Sequence, residues 1–324
     1  MLWSRRESLP GRSCRCLPTG VLVCAPYDGG CRERQAGKRR GVLLNGLQIA
    51  VDFAALPLRP DVFTIPEIGG YGPFALRWYS LSYIFAILGG WWLLAKMITR
   101  PGSPMTAAQL DSFITWATFG VILGGRLGYV IFYNPAQYLA NPLEVFKVWD
   151  GGMSSHGGIA GVILGCIGFG IANKVSGLRT LDYVATVAPL GLGLGRLANF
   201  VNGELWGRPT GTDWGVIFPG AGPEPRYPSQ LFEFALEGVL LFSIMTMLFW
   251  GTNARLRPGL LAGVFGVAYG ISRVIVENFR EPDRQIGFLS TGLTMGQTLT
   301  LPMIVAGLLL ILYALRRPRL PATA

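Results

Sequence analysis

The sequence predicts an all-α integral membrane protein of about seven transmembrane helices with a small extracytoplasmic cap. Half of its 324 residues are hydrophobic (51%), only 14% are charged and glycine numbers 45, a balance that a water-soluble core of this size rarely shows. From Tyr71 onward, apolar runs of roughly 20 residues recur, the length that crosses a hydrocarbon layer about 30 Å thick. The basic residues between those runs fall unevenly on the two sides, as they do in chains oriented by the positive-inside rule.

Residues 1–70 precede the first apolar run and read as a basic extension. Within residues 1–45, nine basic residues (Arg5, Arg6, Arg12, Arg15, Arg32, Arg34, Lys38, Arg39 and Arg40) stand against Glu7, Asp28 and Glu33, so most of the net charge of +10 lies outside the apolar body. A basic stripe running along a fold is the footprint of a nucleic-acid binder, and it is missing here. Attraction to anionic lipid is the better reading. Cys14, Cys16, Cys24 and Cys31 also fall in this segment, but their spacing does not form the paired C-x2-4-C pattern of zinc ligands, so no metal is expected. The longest apolar stretch, Val21 to Ala25, is too short for a signal peptide. The segment reads as disordered, or as an extension translated from an upstream start.

The membrane domain is expected over 71–317, with spans near 79–98, 111–133, 155–173, 181–202, 229–250, 258–279 and 296–315, followed by a cytoplasmic tail at 318–324. An odd number of spans puts its two ends on opposite sides. Lys96, Arg100, Lys174, Arg179, Arg255, Arg257, Arg316, Arg317 and Arg319 share one side, and Lys147, Arg208, Arg226, Arg280 and Arg284 the other. The excess places the C-terminus in the cytoplasm. The loop from Glu204 to Pro228, rich in Gly and Pro with Trp206 and Trp214, suits an extracytoplasmic cap. Asn134 to Gly152 suits a segment lying along the membrane surface.

Three arginines interrupt the spans: Arg126 in GGRLGY, Arg196 in GLGRLANFVNGELWG and Arg273 in AYGISRVIVENF. Each costs on the order of 2.5–3.5 kcal/mol at mid-bilayer, so each must face a cavity or a partner. Guanidinium forks converging in a dry cavity suit a phosphate ligand. The plainer alternative is ion pairing with Glu233, Glu237, Glu277 or Asp182.

Spacing groups further residues with these arginines. Tyr269, Arg273 and Glu277 recur every four residues and share one helical face, and Arg196 and Asn199 share another. Asn202 and Glu204 follow where that span should end. Gly191, Gly193 and Gly195 lie inside an apolar span with no strand before them, which argues for close helix contact and against a dinucleotide loop. Gly157, Gly161 and Gly165 carry the same implication. The single histidine, His156, opens the third span, where Ser154 or Ser155 can cap the helix. The positive end of the helix dipole there disfavours imidazolium, leaving a ring able to accept a proton.

GRLANFVNGELWG, from Gly195 to Gly207, resembles the signature of the prolipoprotein diacylglyceryl transferases. GGRLGYVIFYN from Gly124, GGMSSHGG from Gly151, RYPSQLFE from Arg226 and SRVIVENFREPD from Ser272 occur in the family's order over about 71–317. The resemblance implies an enzyme of the bacterial inner membrane that moves the diacylglyceryl group of phosphatidylglycerol to the lipobox cysteine of a prolipoprotein. Glycerol phosphate leaves and a thioether forms, with no cofactor. By this resemblance Arg196 and Arg273 hold the phosphate and stabilise charge on the leaving group, while His156, or Tyr269 as its rival, takes the thiol proton. Tyr79, Asn199, Asn202 and Glu204 position headgroup or peptide, Glu277 lies on the substrate-binding face, and Arg126 and Tyr129 support the cavity. Two positions depart from the family's pattern. Tyr227 stands where histidine usually precedes PSQL, and Ser155 stands where an aromatic commonly precedes the histidine, so no catalytic role is carried to Tyr227.

A transporter or channel for an anionic solute is the alternative from another class, since it too gathers arginines in a membrane cavity. It calls for a path open to both faces. The enzyme calls for polar groups crowded toward the outer half, where His156, Glu204 and Arg280 are expected.

Overall fold

The computed structural model describes residues 12–16, 22–26, 50–67, 74–133, 135–147, 152–281, 292 and 294–321. Most of the basic extension, the start near Tyr71, Gly151 and Arg284 lie outside the described residues. The chain forms two units, 1–48 and 49–324. In the first, β1 (Arg12–Cys16) and β2 (Leu22–Pro26) pair as an antiparallel hairpin.

The second unit is helical, and seven of its helices are long and apolar enough to cross a membrane. They are α1 (Trp78–Met97), α2 (Ala107–Phe132), α4 (Ser155–Asn173), α5 (Gly177–Val201), the segment Ser229–Gly251, α8 (Leu260–Glu277) and α9 (Met295–Arg316). A short α3 (Pro135–Ala140) lies between α2 and α4. Outward-facing Phe85, Leu88, Phe119, Leu123, Leu164, Ile171 and Leu309 are exposed on these helices, an arrangement suited to lipid and not to water. The chain is therefore a multi-pass membrane protein.

Two kinds of contact hold the bundle. Between α2 and α4, glycines meet glycines: a Cβ on Gly128 would stand 2.7 Å from the Gly157 Cα, and Gly120, Gly124 and Gly161 are equally tight. Small residues let the backbones approach this closely, and dispersion then replaces the hydrophobic drive that lipid cannot supply. Elsewhere the bundle is filled by large side chains. Met97, Phe113, Phe169, Tyr183, Met245, Phe249 and Leu261 are all buried there.

The span Ser229–Gly251 is not uniform. It begins as α6 (Ser229–Glu233), widens to a π-helix over Phe234–Leu240, and resumes as α7 (Leu241–Gly251). Such widened turns concentrate at functional sites because they re-aim side chains. This one carries Glu237 and presses Gly238 onto Gly193 of α5, where a Cβ would meet the opposing Cα at 2.7 Å. Of the alternating glycines of α5, Gly193 and, against the Ala86 methyl, Gly191 thus serve close helix contact, whereas a Cβ on Gly195 would meet nothing within 4 Å.

A small cap at one end of the bundle is built on β6 (Gly215–Ile217), which pairs in parallel with β3 (Ala50–Asp52). Phe53 packs against Phe200 and Phe218 at ring-centroid distances of 5.7 and 5.4 Å. Residues 50–56, assigned by sequence to the extension, are therefore part of the cap. Asp61–Ile65 (β4) and Phe74–Arg77 (β5) form a second hairpin leading into α1.

Candidate active site

The C-terminal end of α5 and the two helices packed on it hold a cluster of five charged side chains. Arg196 reaches Glu233 at 3.3 Å and Glu237 at 3.2 Å. Arg273 reaches Glu233 at 2.7 Å and, through its other amine, Glu277 at 2.9 Å. Both oxygens of Glu233 are thus shared, one with each arginine. Glu233 and Glu237 are fully buried and Glu277 nearly so. This is the ion-pair arrangement weighed for the arginines from sequence, and it accounts for how two guanidiniums tolerate a dry interior. Asp182 lies elsewhere, at the start of α8.

Pairing does not exhaust the guanidiniums. Arg196 donates to Glu237 from Nε and Nη2, and among the described residues no hydrogen bond engages its Nη1. Its side chain keeps 18% of its surface exposed. An arginine has five N–H donors in a fixed fork, so Arg196 is anchored on one edge and available on the other.

Beyond Arg196 the chain turns sharply. Gly203 and Leu205 both take left-handed φ, 65° and 58°, and for leucine that conformation is strained. The turn is pinned from α6: the Ser229 hydroxyl donates to the Leu205 carbonyl at 3.1 Å, and the Gln230 amide to the Glu204 carbonyl at 2.6 Å. Glu204 is thereby presented on the surface, where one of its oxygens accepts from the Asn199 and Asn202 amides at 2.9 and 3.1 Å. Gln230 was not singled out by sequence. Its only signal there is its place in the RYPSQLFE segment.

Two tyrosines complete this group. Tyr79, on the first turn of α1, lies within electrostatic reach of Glu204 and Arg196, and its hydroxyl is 3.3 Å from that of Tyr83. Tyr269 stacks on Phe265 within reach of Glu237, Arg196, Arg273 and Glu233. The structure therefore brings together Tyr79, Arg196, Asn199, Asn202, Glu204, Tyr269, Arg273 and Glu277.

Arg126, Tyr129 and His156 form a second group at the C-terminal end of α2 and the start of α4. Arg126 donates to the carbonyls of Val145 (2.9 Å), Gly152 (3.2 Å) and Glu144 (2.6 Å), and its guanidinium lies over the Tyr138 ring. Tyr129 stacks on Tyr133 and presses on Gly152, where a Cβ would meet its ring at 2.7 Å. Together these contacts shape the segment leading to His156. That ring sits exposed on the first turn of α4, which Ser154 caps through the Gly157 N–H at 3.2 Å. Antiparallel α4 and α5 are joined by the short turn 174–176, so His156 and Glu204 lie at the same end of the bundle. Among the described residues no three His, Cys, Asp or Glu side chains are disposed to hold a metal ion.

Comparison with known proteins bears on this arrangement. Residues 66–313 match the family described as Prolipoprotein diacylglyceryl transferase. Relatives named phosphatidylglycerol-prolipoprotein diacylglyceryl transferase include those of Zymomonas mobilis, 52% identical over 84% of this chain and 96% of the relative, and of Rhodospirillum rubrum, 52% identical over 78% and 92%. That of Gluconacetobacter diazotrophicus is also 52% identical, over 79% and 92%. These relatives lend no support to an anion transporter or channel. The chain belongs to the prolipoprotein diacylglyceryl transferase family, and it is a transferase.

Proposed function

We propose that the protein moves the diacylglyceryl group of phosphatidylglycerol to the lipobox cysteine of prolipoproteins, acting in the bacterial inner membrane. Phosphatidylglycerol and prolipoprotein are the substrates in its relatives' names. The site opens toward the outer face and the C-terminus is cytoplasmic, a reading supported by the excess of Lys and Arg at the opposite end of the bundle. The observation that carries it is the half-anchored Arg196, held by Glu233 and Glu237 on one edge, with Tyr79 within electrostatic reach of it and of Glu204, to which Asn199 donates.

In this reaction the thiol loses its proton to a base, either His156 or Tyr269, because the thiolate is the nucleophile. Sulfur bonds to the glyceryl carbon that bears the phosphate ester. The carbon–oxygen bond breaks, and glycerol phosphate departs with both of its electrons. Charge grows on the leaving phosphate, where Arg196 and Arg273 act as fixed donors in a water-poor site. Asn199, Asn202 and Glu204 hold the headgroup or the peptide, and Arg126 and Tyr129 fix the segment that presents His156. With all five cluster residues ionised, three carboxylates face two guanidiniums, so an incoming phosphate requires one carboxylate to be protonated or to turn away.

The test is to incubate the purified protein in detergent with phosphatidylglycerol and a lipobox peptide. Expected are release of glycerol phosphate and a peptide mass increased by one diacylglyceryl group on cysteine. Release without peptide modification, with free diacylglycerol as the other product, would make it a phospholipase C-type hydrolase and overturn the proposal.

A further inference from the structure

We propose that Asp182 and Arg208 are positioning residues, the two ends of a clamp that fixes the register of α8 and so sets Arg273 against Arg196. Helix α8 starts at Gly259, whose φ of 88° suits glycine and which has no side chain to cap the first turn. Asp182 of α5 supplies the cap from another helix. It is 1% exposed, and its two oxygens accept from the Gly259 N–H at 2.6 Å and the Ala262 N–H at 2.8 Å. These are the two donors that a local capping box would satisfy, and a carboxylate is favoured at the positive end of the helix. At the other end Arg208, from the cap, donates to the carbonyls of Arg280 at 2.8 Å and Glu277 at 3.3 Å. A cation there meets the negative end.

The spacing gives this clamp a consequence at the active site. One span separates α5 from α8, so the two helices point the same way. The interval from Asp182 to Arg196 equals that from Gly259 to Arg273, about 21 Å of helical rise. Fixing Asp182 to Gly259 therefore sets the two arginines level, where both reach Glu233. A slip of one residue would move Arg273 by about 1.5 Å and turn it by roughly 100°, out of reach of that carboxylate. The inference rests on the reading that Arg196 and Arg273 act on the headgroup phosphate.

The test uses the full chain in detergent and measures kcat, KM for phosphatidylglycerol and amide hydrogen exchange along α8. Asp182→Ala should lower kcat on the order of 10- to 100-fold, as small misplacements of catalytic groups do, with KM little changed. Its faster exchange should run from Gly259 to Arg273. Asp182→Asn, which keeps one acceptor, should recover part of the loss, and Arg208→Ala should lower kcat in the same sense. Phe249→Leu, a core change beside Tyr183, should lower the thermal midpoint and leave kcat unchanged. Wild-type kcat in Asp182→Ala, with faster exchange confined to the first turn of α8, would overturn the clamp. If Asp182→Ala does not fold, wild-type kcat in Asp182→Asn overturns it. If the parent protein transfers nothing, the transferase reading fails, and the extent of exchange alone decides the clamp.

Discussion

The seam between α2 and α4 and the seam between α5, α6 and α8 solve the same problem by opposite means. The first is glycine against glycine, with Gly120, Gly124 and Gly128 facing Gly157 and Gly161. The second packs two arginines and three glutamates into the interior. A glycine seam is sufficient to join helices in lipid, so the charged seam is not needed for cohesion. Buried ion pairs are weak sources of stability but are strongly disruptive when half broken. Their retention here points to a use for the arginines, with the glutamates as the groups that hold them.

The comparison breaks most sharply at Glu233, the residue that both arginines share. Glu233→Ala leaves two guanidiniums short of a partner and should destabilise the protein by about 3–5 kcal/mol, seen as a lower thermal midpoint together with lost activity. Glu237→Ala should cost less, since it takes hydrogen bonds from Arg196 alone, which still has Glu233 at 3.3 Å, while Arg273, 3.8 Å from Glu237, retains Glu233. Equal losses from the two would show that Glu233 is no pivot. On the glycine side, Gly161→Val pushes a side chain into the Gly120 carbonyl and should cost about 1–3 kcal/mol through overpacking. The yield of folded protein should fall while kcat per folded molecule holds. A fall in kcat of the same size as in the charged seam would erase the distinction between the two regions.

Smaller effects sharpen the picture. Arg126→Lys replaces a fork bonded to three carbonyls by a point charge, and should cost about 1–3 kcal/mol and loosen the segment before His156. Proteolysis within 135–147 is the readout, and an unchanged cleavage rate would count against that role. Least affected should be Asn202→Ala, which removes one of two amides from Glu204. A loss of about 0.5–1.5 kcal/mol in binding is expected, read as a higher KM with kcat kept.

Much of the fold was legible because span length and hydropathy are properties of contiguous residues. The run 79–98 became Trp78–Met97 and 296–315 became Met295–Arg316. The second span starts earlier than its apolar run, at Ala107, because Thr106 and Gln109 form a capping box, a local signal that hydropathy does not weigh. Contacts between distant residues were harder to read. The pairing of Ala50–Asp52 with the cap involves three residues without a periodic pattern, and nothing local marks the π-turn that aims Glu237. At the site, the arginines stood out because charge in an apolar run is anomalous. Their glutamate partners were visible only as alternatives, since helical spacing identifies a face but not what the face meets.

The central claim is that Arg196 stabilises the departing phosphate, and the turnover of Arg196→Ala tests it most directly. Glycerol phosphate release from phosphatidylglycerol in the presence of a lipobox peptide should fall on the order of 10²–10³-fold in kcat, the scale for loss of a fixed donor to developing charge, in protein that remains folded. Release at the parent rate would contradict the account.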